Sequence, residues 1–343
     1  MSTTLIQIKS FLGKYYPELL YSATQDKYQR SNLDTFFEQR FYIQNNKTQM
    51  IVDPGLPGLA VIIMGNEIHI SKELYDHKNV VITNSLENKE NKNPRSLYNP
   101  ETFSTIAYLV CQNHTMFSIN GPVDEPIYVK YRTDYETFYN SVLVFNLGED
   151  LDAEIVEEVE SQCALNAVVN YILQPRARLA LSTFYKNNSS AISFNYRNVI
   201  TQENSSYTHA MFGRGASNVI DENRFQVHSD SNIELLGVTD CAGRNFNSIV
   251  SLYPASENYD FSVNYRNIIY GKGNVTFTPS IYGSILSDAS VNVQDLQLDS
   301  FTNAEKLAKI KDFTQDVVDR AVLERLVGVK RFYDNKTKFL QFP

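Results

Sequence analysis

The chain has 343 residues, 43% of them hydrophobic and 20% charged, a globular composition with ample length for a large core. Its 31 Lys and Arg stand against 39 Asp and Glu, and the net charge of −8 gives no bulk attraction for nucleic acid or an anionic membrane. No stretch approaches the roughly 18 apolar residues of a membrane span, the N-terminus lacks the apolar run of a signal peptide, and Cys111, Cys163 and Cys241 are too scattered for a disulfide framework, so a cytoplasmic chain is expected.

The N-terminal region, 1–98, reads as helical and mixed. Ile8, Phe11, Leu12, Tyr15, Leu19 and Leu20 recur at helical spacing, and Pro17 divides or ends that helix. Asn32 caps a second helix over NLDTFFEQRFY. Leu59 to Met64 is an apolar run of strand length. Residues 84–96, NSLENKENKNPRS, carry no apolar periodicity and read as a solvated linker.

From Phe103, starting with FSTIAYLVC, short β-rich runs follow one another at a spacing of about 8–12 residues, each ending in Gly, Pro, Asn or Asp. No helix intervenes before residue 300, so 99–300 is expected to be an all-β core. Within it SFNYRNVI (193–200) returns as SVNYRNII (262–269), an offset of 265 − 196 = 69 positions. Three turns of 23 residues would place the copies above one another on one wall of a parallel β-helix. Alternation puts Ile192, Phe194, Tyr196, Asn198 and Ile200 on the inner face of the first copy, and Phe261, Val263, Tyr265, Asn267 and Ile269 on that of the second. One Asn per coil would then extend a hydrogen-bond ladder inside the stack.

Residues 301–343 are strongly helical. Leu307, Ile310, Phe313, Val317, Ala321 and Leu326 form an apolar stripe, with Thr302 or Asn303 at the N-cap and Gly328 ending or breaking the helix.

No catalytic constellation stands out: GxSxG, HExxH and GxxxxGK[ST] are absent. GRGAS and GKGN read as turns rather than phosphate loops. EIVEEVES puts Glu154, Glu158 and Glu160 on one strand face and Glu157 on the other, and reads as a solvated acidic strand. Cys241 and His228 are the candidates for a soft-metal site across coils, against the plainer reading of two isolated residues.

Several segments, in order, resemble the SufB/SufD family of scaffold proteins in the SUF iron–sulfur cluster assembly system. They are AYLVCQNHTMFSINGPVDEPIYVKY, SVLVFNLGEDLDAEIVEEVES, ALNAVVNYILQPRARLALSTFYK, AMFGRGASNVIDENRFQVHSDSNIELLGVTD and NSIVSLYPASENYDFSVNYRNIIYGKGNVTFTPSIYGSILSDASVN. The resemblance implies a mainly β fold: a right-handed parallel β-helix flanked by N-terminal and C-terminal helical segments. It implies a non-catalytic scaffold that pairs with itself or a SufB/SufD sister and binds the ABC-type ATPase SufC. The pairing surface would lie on the last strands, at Val275, Phe277, Tyr282, Ile285 and Val293, and the ATPase would take the apolar stripe of 301–343. No cofactor is assigned to this chain alone; a transient iron–sulfur cluster would form at a shared interface. Tyr282 stands about where the cluster-bearing member carries a cysteine, so the usual ligands do not transfer and a SufD-like or shortened divergent member is expected. The competing readings are a polysaccharide-active β-helix enzyme and a structural or adhesive solenoid.

Overall fold

The computed structural model describes residues 3–4, 14, 42–43, 49–64, 67–84, 107, 114–133, 137–162, 164–186, 191–215, 218–242, 245–271, 273–282, 289–298 and 303–323. The strands are β1 (Thr3–Thr4), β2 (Tyr42–Ile43), β3 (Gln49–Asp53), β4 (Ala60–Met64), β5 (Glu67–Ser71), β6 (Val80–Asn84), β7 (His114–Ile119), β8 (Ile127–Arg132), β9 (Thr137–Leu147) and β10 (Asp152–Glu160). They continue as β11 (Ala164–Leu173), β12 (Arg178–Lys186), β13 (Ile192–Thr201), β14 (Ser206–Gly215), β15 (Asn218–Val227), β16 (Ser231–Ala242), β17 (Asn245–Pro254), β18 (Tyr259–Tyr270), β19 (Asn274–Ile281) and β20 (Ala289–Gln297). A short helix, α1 (Lys72–Tyr75), follows β5, and a long one, α2 (Asn303–Leu323), follows β20.

Two sheets form the walls of a parallel β-solenoid. From β9 onward the odd strands β9-β11-β13-β15-β17-β19 stack in one wall, and the even strands β8-β10-β12-β14-β16-β18-β20 in the other. Each coil therefore contributes one strand to each wall. The sheets begin before residue 98: β4 pairs with β8, and β3–β5 extend the even wall to its edge. Among the described residues the helical flanks are minor. The expected N-terminal helices fall largely outside the described residues; of those described there, Lys14 is helical and Thr3–Thr4 is a strand paired with Tyr42–Ile43. Ala107, expected in a strand, is helical, and the linker beyond Asn84 lies outside the described residues.

The coil is longer than the echo implies. Ala164 lies opposite Ile192 and Ile192 opposite Asn218, steps of 28 and 26 residues; Asp152, Arg178 and Ser206 step by 26 and 28. Sixty-nine residues are thus two and a half coils, not three turns of 23. The first copy lies in β13 on the odd wall and the second in β18 on the even wall. This half-turn reverses the first copy's inner face. Ser193, Asn195, Arg197 and Val199 point into the lumen, in register with Leu165, Ala167, Val169 and Tyr171. Phe194 and Tyr196 are buried on the outside instead. The second copy turns Phe261, Val263 and Tyr265 inward as expected. Asparagine ladders exist, but Asn198 donates to Asn170 on the outer face, while the inward ladder runs Thr239 to Asn267 to Asp295.

One corner keeps the coils in step. Asp150, Arg176, Asn204 and Asp230 take φ of 59°, 62°, 56° and 55°, and each amide donates to a carbonyl one coil on: Pro175, Glu203, Ser229 and Asn258. Asp and Asn reach this left-handed region more cheaply than most side chains. Arg176 is held there by ion pairs to Glu149 and Asp150.

The dry core is the lumen. Ile155, Leu181, Leu235 and Val263 from the even wall meet Leu143, Val169, Phe225 and Val250 from the odd wall. At about 1.5–3 kcal/mol for each fully buried side chain, this column dominates stability. A second apolar layer lies outside the even wall, where Phe184, Phe212, Leu236, Val238 and Ile268 form one cluster with Ile310 and Val317 of α2, which packs on β16 and β18.

Candidate functional site

Two regions stand out from this frame: a polar cluster in the closed lumen, and the final coil with the helix beside it.

The lumenal cluster is centred on Arg197, whose side chain is 2% exposed. Its Nη2 and Nε donate to Glu157 Oε2 at 2.5 and 3.0 Å, and Nη1 reaches Asp221 Oδ1. Tyr171 donates to Glu157 Oε1 at 2.5 Å, Thr183 to Oε2 at 3.0 Å, Tyr185 to Asp221 Oδ1, and Asn223 to Asp221 Oδ2 at 2.6 Å. Both carboxylates act as acceptors only. One guanidinium thus faces two carboxylates, and five strands from three successive coils are tied together at one level.

Burial sets the protonation of the neighbours. It pushes the hydroxyls of Tyr171 and Tyr185 well above the usual phenol range. It pushes His209 well below the usual imidazole range, and the Arg197 charge adds to that fall. Arg197 stays a cation: burial opposes its charge, but Glu157, Tyr185 and Asp221 outweigh it.

The sequence pattern missed this cluster for a physical reason. Three of the four glutamates in 154–160 are half-buried on the outer face as expected, but Glu157 is a lumenal anchor rather than part of a solvated strand. Alternation sets it apart from the others, but its partner Arg197 lies on the strand face that apolar alternation does not select as the inner one.

The candidate metal residues are not brought together. Cys241 is buried near the end of β16, its thiol directed at the Asn274 carbonyl 3.7 Å away. His228 sits just before the start of β16, its Nδ1 2.7 Å from the Thr201 carbonyl. The ten residues from Ser231 to Cys241 span about 33 Å of strand. Among the described residues no group of three or more His, Cys, Asp or Glu is arranged to hold a metal ion.

The final coil is the open end of the solenoid. Among the described residues β19 and β20 are the last strands of their walls. β20 is mostly exposed along its length, with Val291 46% exposed, whereas the preceding β18 is largely buried. Val275, Phe277 and Val293 pack partly buried on the end of the lumenal core, beneath no further coil of the described residues. Tyr282, half-exposed, stacks on Tyr253 with ring centroids 4.6 Å apart. Ile285 lies outside the described residues.

The apolar stripe of the C-terminal helix is occupied by the chain itself. Ile310 and Val317 are fully buried against the even wall, and Phe313 packs at its margin beneath the Arg266 guanidinium, 5.8 Å from the ring centroid. Arg266, the echo of Arg197, points outward and pairs with Asp316; Arg320 pairs with Glu234 at 3.0 Å. Leu307 and Ala321 lie within α2, and Leu326 falls outside the described residues. The outward face of α2 carries Lys311, Asp312 and Asp319.

Residues 131–301 match the family described as SUF system FeS cluster assembly, SufBD core domain. The chain belongs to the SufB/SufD family. No curated protein matches the sequence. The matched span begins in β8 and ends just after β20, so it contains both the lumenal cluster and the open coil.

Proposed function

We propose that the chain is a non-catalytic, SufD-like scaffold of the SUF system. It pairs through its last coil with a SufB/SufD sister chain or with itself, binds the ABC-type ATPase SufC through the region 301–343, and works in the cytoplasm. The right-handed winding of the family's β-helix is part of this reading, as is the division into 1–98, 99–300 and 301–343. The observation that carries it is the coincidence of the SufBD core match with a solenoid whose final strands, among the described residues, lie at the edges of both walls. An edge strand with unpaired backbone groups is a template for a strand from another chain. The nascent cluster is cargo at that shared interface, not a resident cofactor of this chain.

Since Ile310 and Val317 serve the even wall, the ATPase contact in this reading falls on the outward face of α2 and the residues beyond it. The polysaccharide-active reading has less support. Of the carboxylates that the fold brings together, Glu157 and Asp221 lie inside the lumen, and the outer-face pair Glu158 and Glu160 is held in ion pairs with Lys130.

The test is sedimentation of the chain alone and mixed with the sister chain from the same genome. A pair is expected, and Val291→Lys, which puts a charge on the exposed last strand, should dissociate it. An unchanged pair would move the interface elsewhere; a monomer under both conditions would remove the pairing role.

A further inference from the structure

The lumenal cluster does not balance its charge. Arg197 faces Glu157 and Asp221, and no other cation bonds either of them among the described residues. Every bond to the two carboxylates is donated to them, the pattern of the ionised form. Their other neighbours are neutral: burial holds Tyr171 and Tyr185 well above the usual phenol range and His209 well below the usual imidazole range. One excess negative charge is thus left in a dry lumen, where an uncompensated charge is costly. Removing one electron at this level would cancel it, and the oxidisable groups at hand are the two phenols.

The bonds of those phenols differ. Tyr171 donates to Glu157 Oε1 at 2.5 Å and is the one described donor on that oxygen, since Arg197 and Thr183 bond Oε2. Oε1 can therefore take a proton without displacing another donor. Tyr185 meets Asp221 on Oδ1, which Arg197 Nη1 also holds, and its own oxygen lies 3.3 Å from Nη1 and from Nη2. A proton moved onto Oδ1 would be driven against the guanidinium. An oxidised phenol is a strong acid, so a base already bonded to it makes the electron easier to remove. The Tyr171 ring also lies in a continuous aromatic column. It stacks on Phe145 at 5.7 Å, and Phe145 on Phe117 at 4.9 Å. On its other side follow Tyr207 at 6.1 Å, Phe225 at 5.6 Å and Phe261 at 6.2 Å. Packed rings of this kind support electron tunnelling, while burial keeps the Tyr171 ring from solvent and from other radicals.

We propose that Tyr171 is a redox site of the lumen. A diffusible one-electron oxidant, such as a peroxide-derived radical, takes one electron from the ring and is itself reduced. The phenolic O–H bond breaks, and its proton forms a new bond to Glu157 Oε1. The product is a neutral tyrosyl radical beside a neutral Glu157 that donates back to it. Arg197 and Asp221 then balance, and the level holds no net charge. The site is a trap that draws an oxidising equivalent away from exposed side chains. This inference rests on the charge and bonding of the cluster and is independent of the scaffold reading.

Electron paramagnetic resonance on the full chain, after flash oxidation with photogenerated tris(bipyridine)ruthenium(III), tests it. A long-lived tyrosyl signal is expected, with the narrowed g anisotropy of a phenoxyl that accepts a hydrogen bond. Tyr171→Phe, which removes only a hydroxyl, should abolish the long-lived signal, and Tyr185→Phe should keep it. The g anisotropy is read on the native chain and decides even where a variant does not fold. Absence of a long-lived signal from the native chain, or the wide g anisotropy of a phenoxyl without a hydrogen bond, would overturn the proposal. So would survival of the signal in folded Tyr171→Phe or its loss in folded Tyr185→Phe.

Discussion

Replacing Arg197 by Met removes the only cation among the described residues that bond Glu157 and Asp221 and leaves two buried carboxylates behind. Breaking one buried pair costs about 3–5 kcal/mol. A ceiling comes from the escape route open to each group, which is to take up a proton. At pH 7 that costs about 1.36 kcal/mol per pH unit above the ordinary value, hence about 3.7 kcal/mol for a glutamate and about 4.2 for an aspartate. The expected loss is therefore about 4–8 kcal/mol, comparable with the whole stability of many domains. The sign of the pH dependence follows. In the variant the folded state holds protons that the unfolded chain has released, so stability falls as pH rises and recovers as it drops. Two carboxylates recover about 4 kcal/mol between pH 7 and 5.5. Urea unfolding followed by far-UV circular dichroism at both pH values reads this directly. The triple variant Glu157→Gln, Arg197→Met, Asp221→Asn carries no buried charge at this level and should lose the pH slope. A loss below about 1.5 kcal/mol, or equal losses at pH 7 and 5.5, would refute the claim that the cluster is held by ion pairing.

Gly237→Ala sets a Cβ 2.7 Å from the Tyr265 ring and should cost about 1–3 kcal/mol in thermal unfolding. Gly271 has open space but a φ of 54°, so Gly271→Asn should be nearly silent while Gly271→Ala costs about 1 kcal/mol. Asp316→Arg opposes Arg266 and should raise amide hydrogen exchange across α2. Because Asp316 is half in water the change is worth up to about 1 kcal/mol, and adding Arg266→Asp should reverse part of it. Burial pushes Glu158 up, but its bonds to Lys130 and Lys186 outweigh this and hold it below the usual glutamate value. Its contribution is present above the unfolded value near 4.3 and lost as pH falls through the lower folded value, so Glu158→Gln should flatten the acid limb of stability below about pH 4.5.

The coil architecture was legible in the sequence because each strand ends in a turn residue, and the corner residues Asp150, Asn204 and Asp230 show why. The echo was informative but misassigned: an offset of 69 divides as well into two and a half coils as into three shorter ones, and only strand pairing separates the cases. The inward face of β13 was not legible at all. Apolar alternation selects Phe194 and Tyr196, yet these are buried outside while Asn195 and Arg197 fill the lumen. Where both faces of a strand are buried, hydrophobic pattern no longer tells inside from outside. The same limit concealed the cluster around Glu157, since a buried charge is recognised by its partners, which come from other coils. The helical stripe at 310 and 317 was legible as a buried face, but the sequence did not say whether the surface that buries it belongs to this chain or to another.

The most direct test of the scaffold account is co-purification of the intact chain with the ABC-type ATPase encoded in the same genome. Truncation at residue 301 is a poor control, because it would uncover Leu236 and Ile268 on the even wall. The charge reversals Lys311→Glu and Asp312→Lys leave that contact in place and change only the outward face of α2. The account predicts a stable complex with the native chain that weakens with the reversals while the far-UV spectrum is unchanged. Failure of the native, folded chain to retain the ATPase would contradict it.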